Sequence, residues 1–451
     1  MPEQTNEISF NTRDEYQRKP IASKVIQLLI SDTKVSPMVI DGSWGTGKTE
    51  FCNKLIHLIE NGDSGFRTVY IDAFKADHAD EPLMTLLAAV LKIIPDADRP
   101  SLIQKALPAI RFGAKATLKA GVSWVLRQDA VDLKDDLEQE LKKIGDDAIN
   151  KTIESLLTDH IAAEESIKTL KDSLRKVAIK KPIVVFIDEL DRCRPDFAVA
   201  ILESIKHIFE VEGVQFVLIT NSEQLRASIN HCYGSAIDAQ RYLDKFLGFQ
   251  FIFPETFKPN GHNEILASTQ HLKTSIDSSE ILADSYLQTA DGLFSQLITH
   301  NQMSLREVET FVRYLEIYQI LTNGSGFRKN TAEGYRLLKI LGVYLYCFKD
   351  KSANSLTGGI IDGPEIVKVM GITEYTNLLD NSYPSETDIV AVMVMLESTY
   401  GKDNFINSTD KLMQTWNGII YSLFSREPHH PRTGERMKIV KSVIDTLKLN
   451  Q

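Results

Sequence analysis

A glycine-rich loop between a short apolar run and an amphipathic helix is the most constraining feature of this 451-residue chain. Residues 42–49 fit the pattern G-x-x-x-x-G-K-[ST], and they follow an apolar segment at residues 38–41 that reads as a strand. Glycines allow backbone N–H groups to turn inward and form an anion cradle, which a Cβ atom would obstruct. The helix predicted over residues 50–60 would present its positive dipole end to the same anion. The sequence therefore predicts a site for the phosphates of a nucleoside triphosphate.

Each position of this loop has an expected role. Lys48 is expected to place its ammonium at the β- and γ-phosphates, and the Thr49 hydroxyl is expected to ligate Mg²⁺. The rest of the loop is expected to surround the phosphates, and it consists of Gly42, Ser43, Trp44, Gly45, Thr46 and Gly47. A chance match in an ordinary turn is the alternative, but the flanking strand and helix argue against it.

An acidic pair, Asp188 and Glu189, ends a second apolar run at residues 183–187. Apolar, largely β-branched residues in an unbroken run predict a fully buried parallel strand. Asp188 is expected to hold the Mg²⁺ coordination shell, and Glu189 is expected to orient or deprotonate an attacking water. The alternative is a surface strand that merely ends in two acids. A kinase that transfers phosphate to another substrate must keep water out of its site, whereas a Glu next to the Asp can activate water. The pair therefore favours ATP hydrolysis over phosphate transfer.

Three further apolar runs, at residues 68–72, 214–221 and 249–253, predict strands of the same sheet. Strands that alternate with helices indicate an α/β fold with a parallel sheet covered on both faces. Ligands of such sheets bind beyond the carboxyl ends of the strands, where the glycine-rich loop and the acidic pair both fall. Asn221 falls at the same edge as a candidate sensor of the water or the γ-phosphate. The alternative role for Asn221 is to cap the next helix.

Four segments resemble the KAP family of P-loop NTPases, a branch of the additional-strand ATPases: GSWGTGKT, VYIDAFKADHADEP, VVFIDELDRCRP and RYLDKFLGFQFIFP. The likeness extends over about residues 14 to 320. It implies a five-stranded sheet in the order 5-1-4-3-2, with Asn221 between the loop strand and the acidic strand. It also implies ATP, Mg²⁺ and hydrolysis linked to oligomerisation. Many relatives carry paired transmembrane helices between the two nucleotide motifs, and we find no such pair in this sequence.

The resemblance also implies arginines that complete the site. In related ring-forming ATPases, the helix before the fifth strand carries an arginine that reaches the γ-phosphate of the neighbouring subunit. Arg241 holds the matching position, and Arg192 and Arg194 are rivals for the role. The alternative for Arg241 is an ion pair with Asp238 or Asp244 on its own helix.

A lid helix of related ATPases opens with another arginine, which reaches back to the nucleotide. Arg306 holds that position in this sequence, in the segment Asn-Gln-Met-Ser-Leu-Arg-Glu. The alternative is a solvent-facing helix charge.

Domain boundaries follow from the long connection between the two nucleotide motifs. We predict a nucleotide-binding core at residues 1–100 and 181–257, which is interrupted by a helical insertion at residues 101–180. A helical lid at residues 258–324 and a C-terminal helical domain at residues 325–451 follow. No catalytic motif is found in that last domain, which we expect to bind a partner or produce the output.

The insertion begins with a basic segment, residues 101–127, that carries five cations and no acid. Its longest uncharged run is seven residues, whereas a membrane span needs about 20, so spanning is excluded. Its apolar residues follow helical spacing, which allows peripheral contact with an anionic membrane surface. Packing of the apolar face on the core is the favoured alternative. Residues 162–180 continue the helical pattern.

Composition limits the partners and the compartment. The net charge of −10 and the pI of about 5.6 provide no basic field that would attract nucleic acid. Four cysteines are scattered without metal or disulfide spacing, as in a reducing cytosol. The N-terminus has no apolar signal-peptide core, so we expect a cytoplasmic protein.

The function that these observations favour is Mg²⁺-dependent ATP hydrolysis by an oligomerising molecular switch that works with a partner effector. Prokaryotic relatives are associated with resistance to phage and mobile elements, so the resemblance implies a role in defence. The alternative is an ATP-binding scaffold at the cytoplasmic membrane surface without productive turnover. Intact Lys48, Asp188 and Glu189 favour the first function. A nucleic-acid translocase is a third possibility that the acidic composition disfavours.

Overall fold

The computed structural model describes residues 9–62, 64–78, 82–94, 99–100, 153–259, 261–373, 384–401, 410–425 and 430–450, with only the backbone described at 153–166, 208 and 410–412. The chain divides into two compact units, Met1–Pro254 and Glu255–Gln451, which we call the first unit and the second unit. The basic segment predicted at residues 101–127, and with it the proposed membrane contact, lies outside the described residues.

The first unit is built on a parallel sheet of five strands. These are β1 (Met38–Asp41), β2 (Arg67–Asp72), β3 (Ile183–Asp188), β4 (Val214–Thr220) and β5 (Phe249–Ile252). Their order is β2-β3-β4-β1-β5, which is the expected order 5-1-4-3-2 read from the other edge. The predicted α/β class and strand order are therefore confirmed.

The register of the sheet brings the polar strand ends to one edge. Asp41 of β1 is paired with Thr220 of β4, and Asp188 of β3 lies beside Asp72 of β2 and Ile219 of β4. Every residue of β3 is buried, as expected for a parallel strand that is covered on both faces. The side chains that follow these strands consequently emerge close together.

Helices cover both faces of this sheet. They are α1 (Lys19–Ile30), α2 (Lys48–Glu60), α3 (Ala73–Asp77), α4 (Pro82–Ile93), α5 (Ile153–Lys180), α6 (Pro195–Ser204), α7 (Ser222–Tyr233) and α8 (Ala239–Asp244), with a 3₁₀ turn at Leu190–Arg192 and a π turn at Ile205–Phe209. Alternate residues of β3 enter different cores: Val185 belongs to the apolar cluster that includes α4 and α6, and Phe186 to the one that includes α1 and α2. The helix after the loop starts two residues earlier than predicted, because Lys48 and Thr49 form its first turn.

The second unit is helical apart from a short antiparallel pair, β6 (Thr256–Phe257) and β7 (Ile265–Leu266), in the residues that the structure describes. Its helices are α9 (Ala267–Ser278), α10 (Asp291–His300), α11 (Leu305–Leu321), α12 (Glu333–Phe348), α13 (Asp350–Thr357), α14 (Gly363–Lys368), α15 (Glu386–Leu396), α16 (Asp410–Leu423) and α17 (Arg436–Leu447), with a 3₁₀ turn at Leu287–Ala290. One apolar cluster contains side chains from both sides of residue 324, such as Phe311 and Tyr344, whose ring centroids are 5.6 Å apart. Among the described residues, no helix has the length and apolar character needed to cross a membrane.

Candidate nucleotide-binding site

The loop between β1 and α2 has the backbone that its motif requires. Gly45 and Gly47 adopt left-handed φ angles of 77° and 84°. Residues with a Cβ atom adopt this conformation at a cost of about 1–2 kcal/mol. A Cβ atom on Gly42 would lie 3.4 Å from side-chain atoms of Lys48 and Thr46, which is ordinary van der Waals contact, so the need for glycine is clearest at Gly45 and Gly47. The loop therefore ends directly at the N-terminus of α2, whose free N–H groups and partial positive charge suit an anion.

Lys48 is buried inside the loop to which it belongs. Its Nζ donates to the carbonyl of Gly42 at 2.6 Å and to that of Ser43 at 2.9 Å. Burial lowers the pKa of Lys48, and nearby carboxylates, foremost those of Asp191 and Asp188, oppose this shift. Phosphate oxygens are acceptors that can replace the loop carbonyls, so the ammonium is already placed where the motif predicts it to act.

Asp188 and Thr49 are brought together by the sheet, as the sequence predicts for a magnesium site, and their side chains are hydrogen-bonded. One oxygen of Asp188 accepts the backbone N–H of Glu189 at 2.8 Å, and the other accepts the phenol of Tyr70 at 3.2 Å. Burial raises the pKa of Asp188, while these hydrogen bonds and Lys48 act to lower it. Mg²⁺ prefers oxygen ligands and is commonly held by one or two protein groups together with phosphates and water. A hydroxyl beside a carboxylate fits that preference.

Glu189 lies next to this pair in an unusual backbone conformation. Its φ angle is 60°, and it begins the 3₁₀ turn Leu190–Arg192. Its carboxylate forms an ion pair with Arg192, with 3.1 Å between Oε2 and Nη1. Burial raises the pKa of Glu189, and Arg192 acts to lower it. The carboxylate that we expect to act on water is thus held by an arginine of its own chain.

Asn221 follows β4 at the predicted edge and caps α7. Its Oδ1 accepts the N–H groups of Glu223 at 3.0 Å and Gln224 at 3.4 Å. The capping alternative is therefore present in the structure. A sensor role would rest on the amide nitrogen of Asn221, and it stays a prediction.

The three candidates for an arginine that acts in trans have different surroundings. Arg241 lies on α8 with 86% of its side chain exposed, and it pairs with Asp238 at 3.2 Å. Arg194 donates to the carboxylate of Asp77 from its backbone N–H at 3.0 Å and from Nε at 3.1 Å. Arg192 holds Glu189 in the same chain. Since an exposed ion pair contributes only about 0–1 kcal/mol, Arg241 is the candidate most easily released for another partner.

Arg306 belongs to the second unit. It is the second residue of α11, which begins with a capping box formed by Ser304 and Glu307. The predicted position at the opening of a helix is therefore correct. Its contact with the nucleotide stays a prediction.

Asp191 is a site residue that our sequence analysis did not single out, although it lies within the segment VVFIDELDRCRP. One carboxylate oxygen accepts the indole N–H of Trp44, and the other accepts the hydroxyl of Thr220 at 3.1 Å. The carboxylate thus connects the phosphate loop, the acidic segment and the end of β4. The sequence could have pointed to Asp191, because it lies three residues after Asp188 in a segment rich in acidic residues.

Tyr70 and Arg18 were also missed. Tyr70 reaches Asp188 because β2 and β3 are neighbours in the sheet. Arg18 is buried, and its Nη2 donates to the carbonyl of Thr46 in the phosphate loop at 3.0 Å. Arg18 lies in none of the four segments, and Tyr70 lies in the segment VYIDAFKADHADEP without a pattern that predicts its contact, so only the tertiary arrangement reveals what the two residues touch.

Comparison with known proteins agrees with this geometry. A search of curated proteins gave no match. A family model described as the KAP family P-loop domain matches residues 18–322, which is more than half of the chain and close to the range that the sequence motifs indicated. With its phosphate loop, its acidic strand and its strand order all in place, the chain belongs to the KAP family of P-loop NTPases.

Proposed function

We propose that this protein is a Mg²⁺-dependent ATP hydrolase that acts as an oligomerising molecular switch. The observation that carries the proposal is the meeting of three groups at one sheet edge: the ammonium of Lys48, the hydrogen-bonded pair Thr49 and Asp188, and the carboxylate of Glu189. A site that only binds phosphate would need only the ammonium of Lys48. The carboxylate of Glu189, which can act on water, indicates hydrolysis.

The roles of the residues follow from their chemistry. The loop N–H groups and Lys48 would bind the β- and γ-phosphates, and Thr49 with Asp188 would hold Mg²⁺, which neutralises phosphate charge when bound. Glu189 would orient a water and accept its proton. The raised pKa of Glu189 makes it a better proton acceptor than an ordinary carboxylate, provided that it remains ionised.

The switch part of the proposal rests on the arginines and on the second unit. Arg241 is exposed and weakly paired, as expected of a residue that acts on a neighbouring subunit. We propose that such contact completes the site in an oligomer and that the second unit passes the nucleotide state to a partner effector. The association of prokaryotic relatives with resistance to phage and mobile elements makes defence the setting that we propose.

Phosphate release by two variants tests the hydrolytic role. Glu189→Gln should lose turnover by about 10²–10⁴-fold, because general base catalysis contributes this much, while its ATP affinity stays near that of the wild type. Glu223→Gln is the matched control, because Glu223 is exposed on the neighbouring α7. Omission of Mg²⁺ should abolish turnover in every variant. Wild-type turnover in Glu189→Gln would show that another group acts on water.

Mixed subunits test the contact in trans. Arg241→Ala should bind ATP normally and hydrolyse it poorly, since an arginine at the γ-phosphate contributes about 10³–10⁵-fold. Mixing Arg241→Ala with Lys48→Ala should restore part of the turnover, because each variant supplies what the other lacks. A wild-type protein whose specific activity stays constant on dilution to a strict monomer would contradict completion in trans.

A further inference from the structure

Asp191 joins three parts of the first unit that are far apart in sequence. Trp44 lies in the phosphate loop, Asp191 in the 3₁₀ turn after β3, and Thr220 at the end of β4. Both carboxylate oxygens of Asp191 are used, one by the indole N–H and the other by the threonine hydroxyl. Hydrogen bonds to an ionised acceptor are about twice as strong as neutral ones. We call these two hydrogen bonds the Asp191 link. The link is therefore a structural connection and not an incidental surface contact.

The two partners of Asp191 differ in burial, which shows which side is anchored. Thr220 is 0% exposed and is the last residue of β4, the middle strand of the sheet, so its hydroxyl is a fixed point. Trp44 is 48% exposed although it is a large aromatic residue. Since the indole N–H is a donor only, its bond to Asp191 orients the ring and the loop that carries it. The phosphate loop is in this way tied to the sheet through Asp191.

The same turn determines the position of Glu189. Glu189 has a left-handed φ angle of 60°, which a residue with a side chain adopts only when its surroundings hold it there. Leu190 is fully buried, and the N–H of Arg192 donates to the carbonyl of Glu189 at 3.1 Å. Asp191, between these two residues, adds the bonds that fix the turn to the loop and to β4. Loss of Asp191 would allow the turn to relax and Glu189 to leave the sheet edge.

We infer that Asp191 is a positioning residue that couples the phosphate loop, through Trp44, to the turn that holds Glu189. The inference rests on the proposed hydrolytic function. Asp191 acts through its neighbours: it sets where Glu189 lies when the loop is filled. An acid suits this role because it supplies two acceptor oxygens in one place, one for the indole and one for the threonine hydroxyl.

Three variants test this role. Asp191→Ala removes both bonds and should lower kcat by at least about tenfold, which corresponds to 1.4 kcal/mol, while the dissociation constant for ATP changes much less. Asp191→Asn keeps an acceptor for the indole and a donor for the threonine hydroxyl, so it should recover part of kcat. Asp196→Asn is the control, because Asp196 is exposed in the first turn of α6. Equal kcat in wild type and Asp191→Ala would overturn the inference.

A double-mutant cycle with Trp44→Phe shows whether Asp191 acts through the indole. If it does, adding Asp191→Ala to Trp44→Phe should reduce kcat by clearly less than Asp191→Ala does alone. Effects that multiply independently would contradict the coupling. A loss confined to the unfolding temperature, with kcat per folded molecule unchanged, would assign Asp191 a role in stability only.

Fluorescence without nucleotide separates this inference from the proposed function. The emission component that Trp44→Phe removes should shift in Asp191→Ala and remain unchanged in Asp196→Asn. A wild-type protein that shows no Mg²⁺-dependent turnover would refute the proposed hydrolysis. The Trp44 emission would still report on the hydrogen bond between Trp44 and Asp191. An emission component that is identical in wild type and Asp191→Ala would refute the proposed link between Trp44 and Asp191.

Discussion

Both units bury carboxylates, but they use them differently. In the first unit, Asp188 ends a strand and accepts hydrogen bonds from the side chains of Thr49 and Tyr70. In the second unit, Glu397 accepts the N–H groups of Arg436 at 3.1 Å and Met437 at 2.9 Å, at the start of α17. Glu397 satisfies donors that a helix always leaves free. Asp188 accepts one backbone N–H, that of Glu189, but it also lies beside the phosphate loop and accepts side-chain donors there.

The lysines show the same contrast. Lys48 donates to carbonyls of the glycine-rich loop, and Lys441 of α17 donates to the carbonyl of Thr357 at the end of α13 at 2.9 Å. The bonds are alike, but the backbones that receive them are not. Lys441 joins two helices that pack together, α13 and α17, whereas Lys48 holds a loop in which Gly45 and Gly47 adopt left-handed φ angles. We therefore expect similar contacts to serve the proposed chemistry in one unit and stability in the other.

Removal of each ammonium group in turn tests whether the two lysines have different roles. Lys48→Met should lower ATP affinity by at least about 100-fold, because charge-assisted contacts to two phosphates disappear, and it should change the unfolding temperature little. Lys441→Met should leave ATP affinity unchanged and lower the unfolding temperature. Binding of a fluorescent ATP analogue and calorimetry measure both. Equal loss of affinity in the two variants would show that the division of roles is wrong.

Truncation of Glu397 tests the stabilising role of the second unit. Glu397→Ala should lower the free energy of unfolding by about 2–4 kcal/mol, since two N–H groups at the start of α17 lose their acceptor. Glu397→Gln retains one acceptor oxygen and should lose less. Denaturant unfolding measures the change, and ATP affinity at low temperature serves as the control. A stable Glu397→Ala protein with weakened ATP binding would reverse our assignment.

The pH dependence of turnover tests the ion pair at the site. Because Glu189 must be ionised to accept a proton, turnover should fall as the pH drops through its pKa. Arg192 lowers that pKa, so Arg192→Gln should move the acidic limb of the kcat profile to higher pH. Arg175→Gln, which removes an exposed arginine of α5 paired with Asp172 at 3.4 Å, should leave the limb in place. A limb that moves to lower pH in Arg192→Gln would contradict the ion pair.

Tyr70→Phe should have the smallest effect. It removes one hydrogen bond to Asp188, worth about 1 kcal/mol, so the Mg²⁺ concentration for half-maximal nucleotide binding should rise about fivefold. Titration of Mg²⁺ against a fluorescent ATP analogue measures it without turnover. An unchanged Mg²⁺ requirement would show that the phenol does not help to orient Asp188.

Some secondary-structure elements could be predicted from the sequence and others could not, and the reasons are physical. Strands β1 and β3 and the residues that follow them were found because unbroken apolar runs end in polar motifs. The pair β6 and β7 was missed, because two residues per strand leave no alternation to recognise. The start of α2 was placed too late, because Lys48 and Thr49 serve the motif and the first helical turn at once.

Local sequence determined the phosphate loop, the acidic strand and the apolar faces, because each depends on residues that are near one another along the chain. Tertiary structure alone decided which side chains meet at the site. Asp191 reaches Trp44 across 147 positions, and Tyr70 reaches Asp188 across 118. These contacts depend on strand order and register, and those in turn depend on how whole helices pack on the sheet. A parallel sheet brings strand ends together whatever their distance in sequence, and for that reason these side chains meet only in the folded protein.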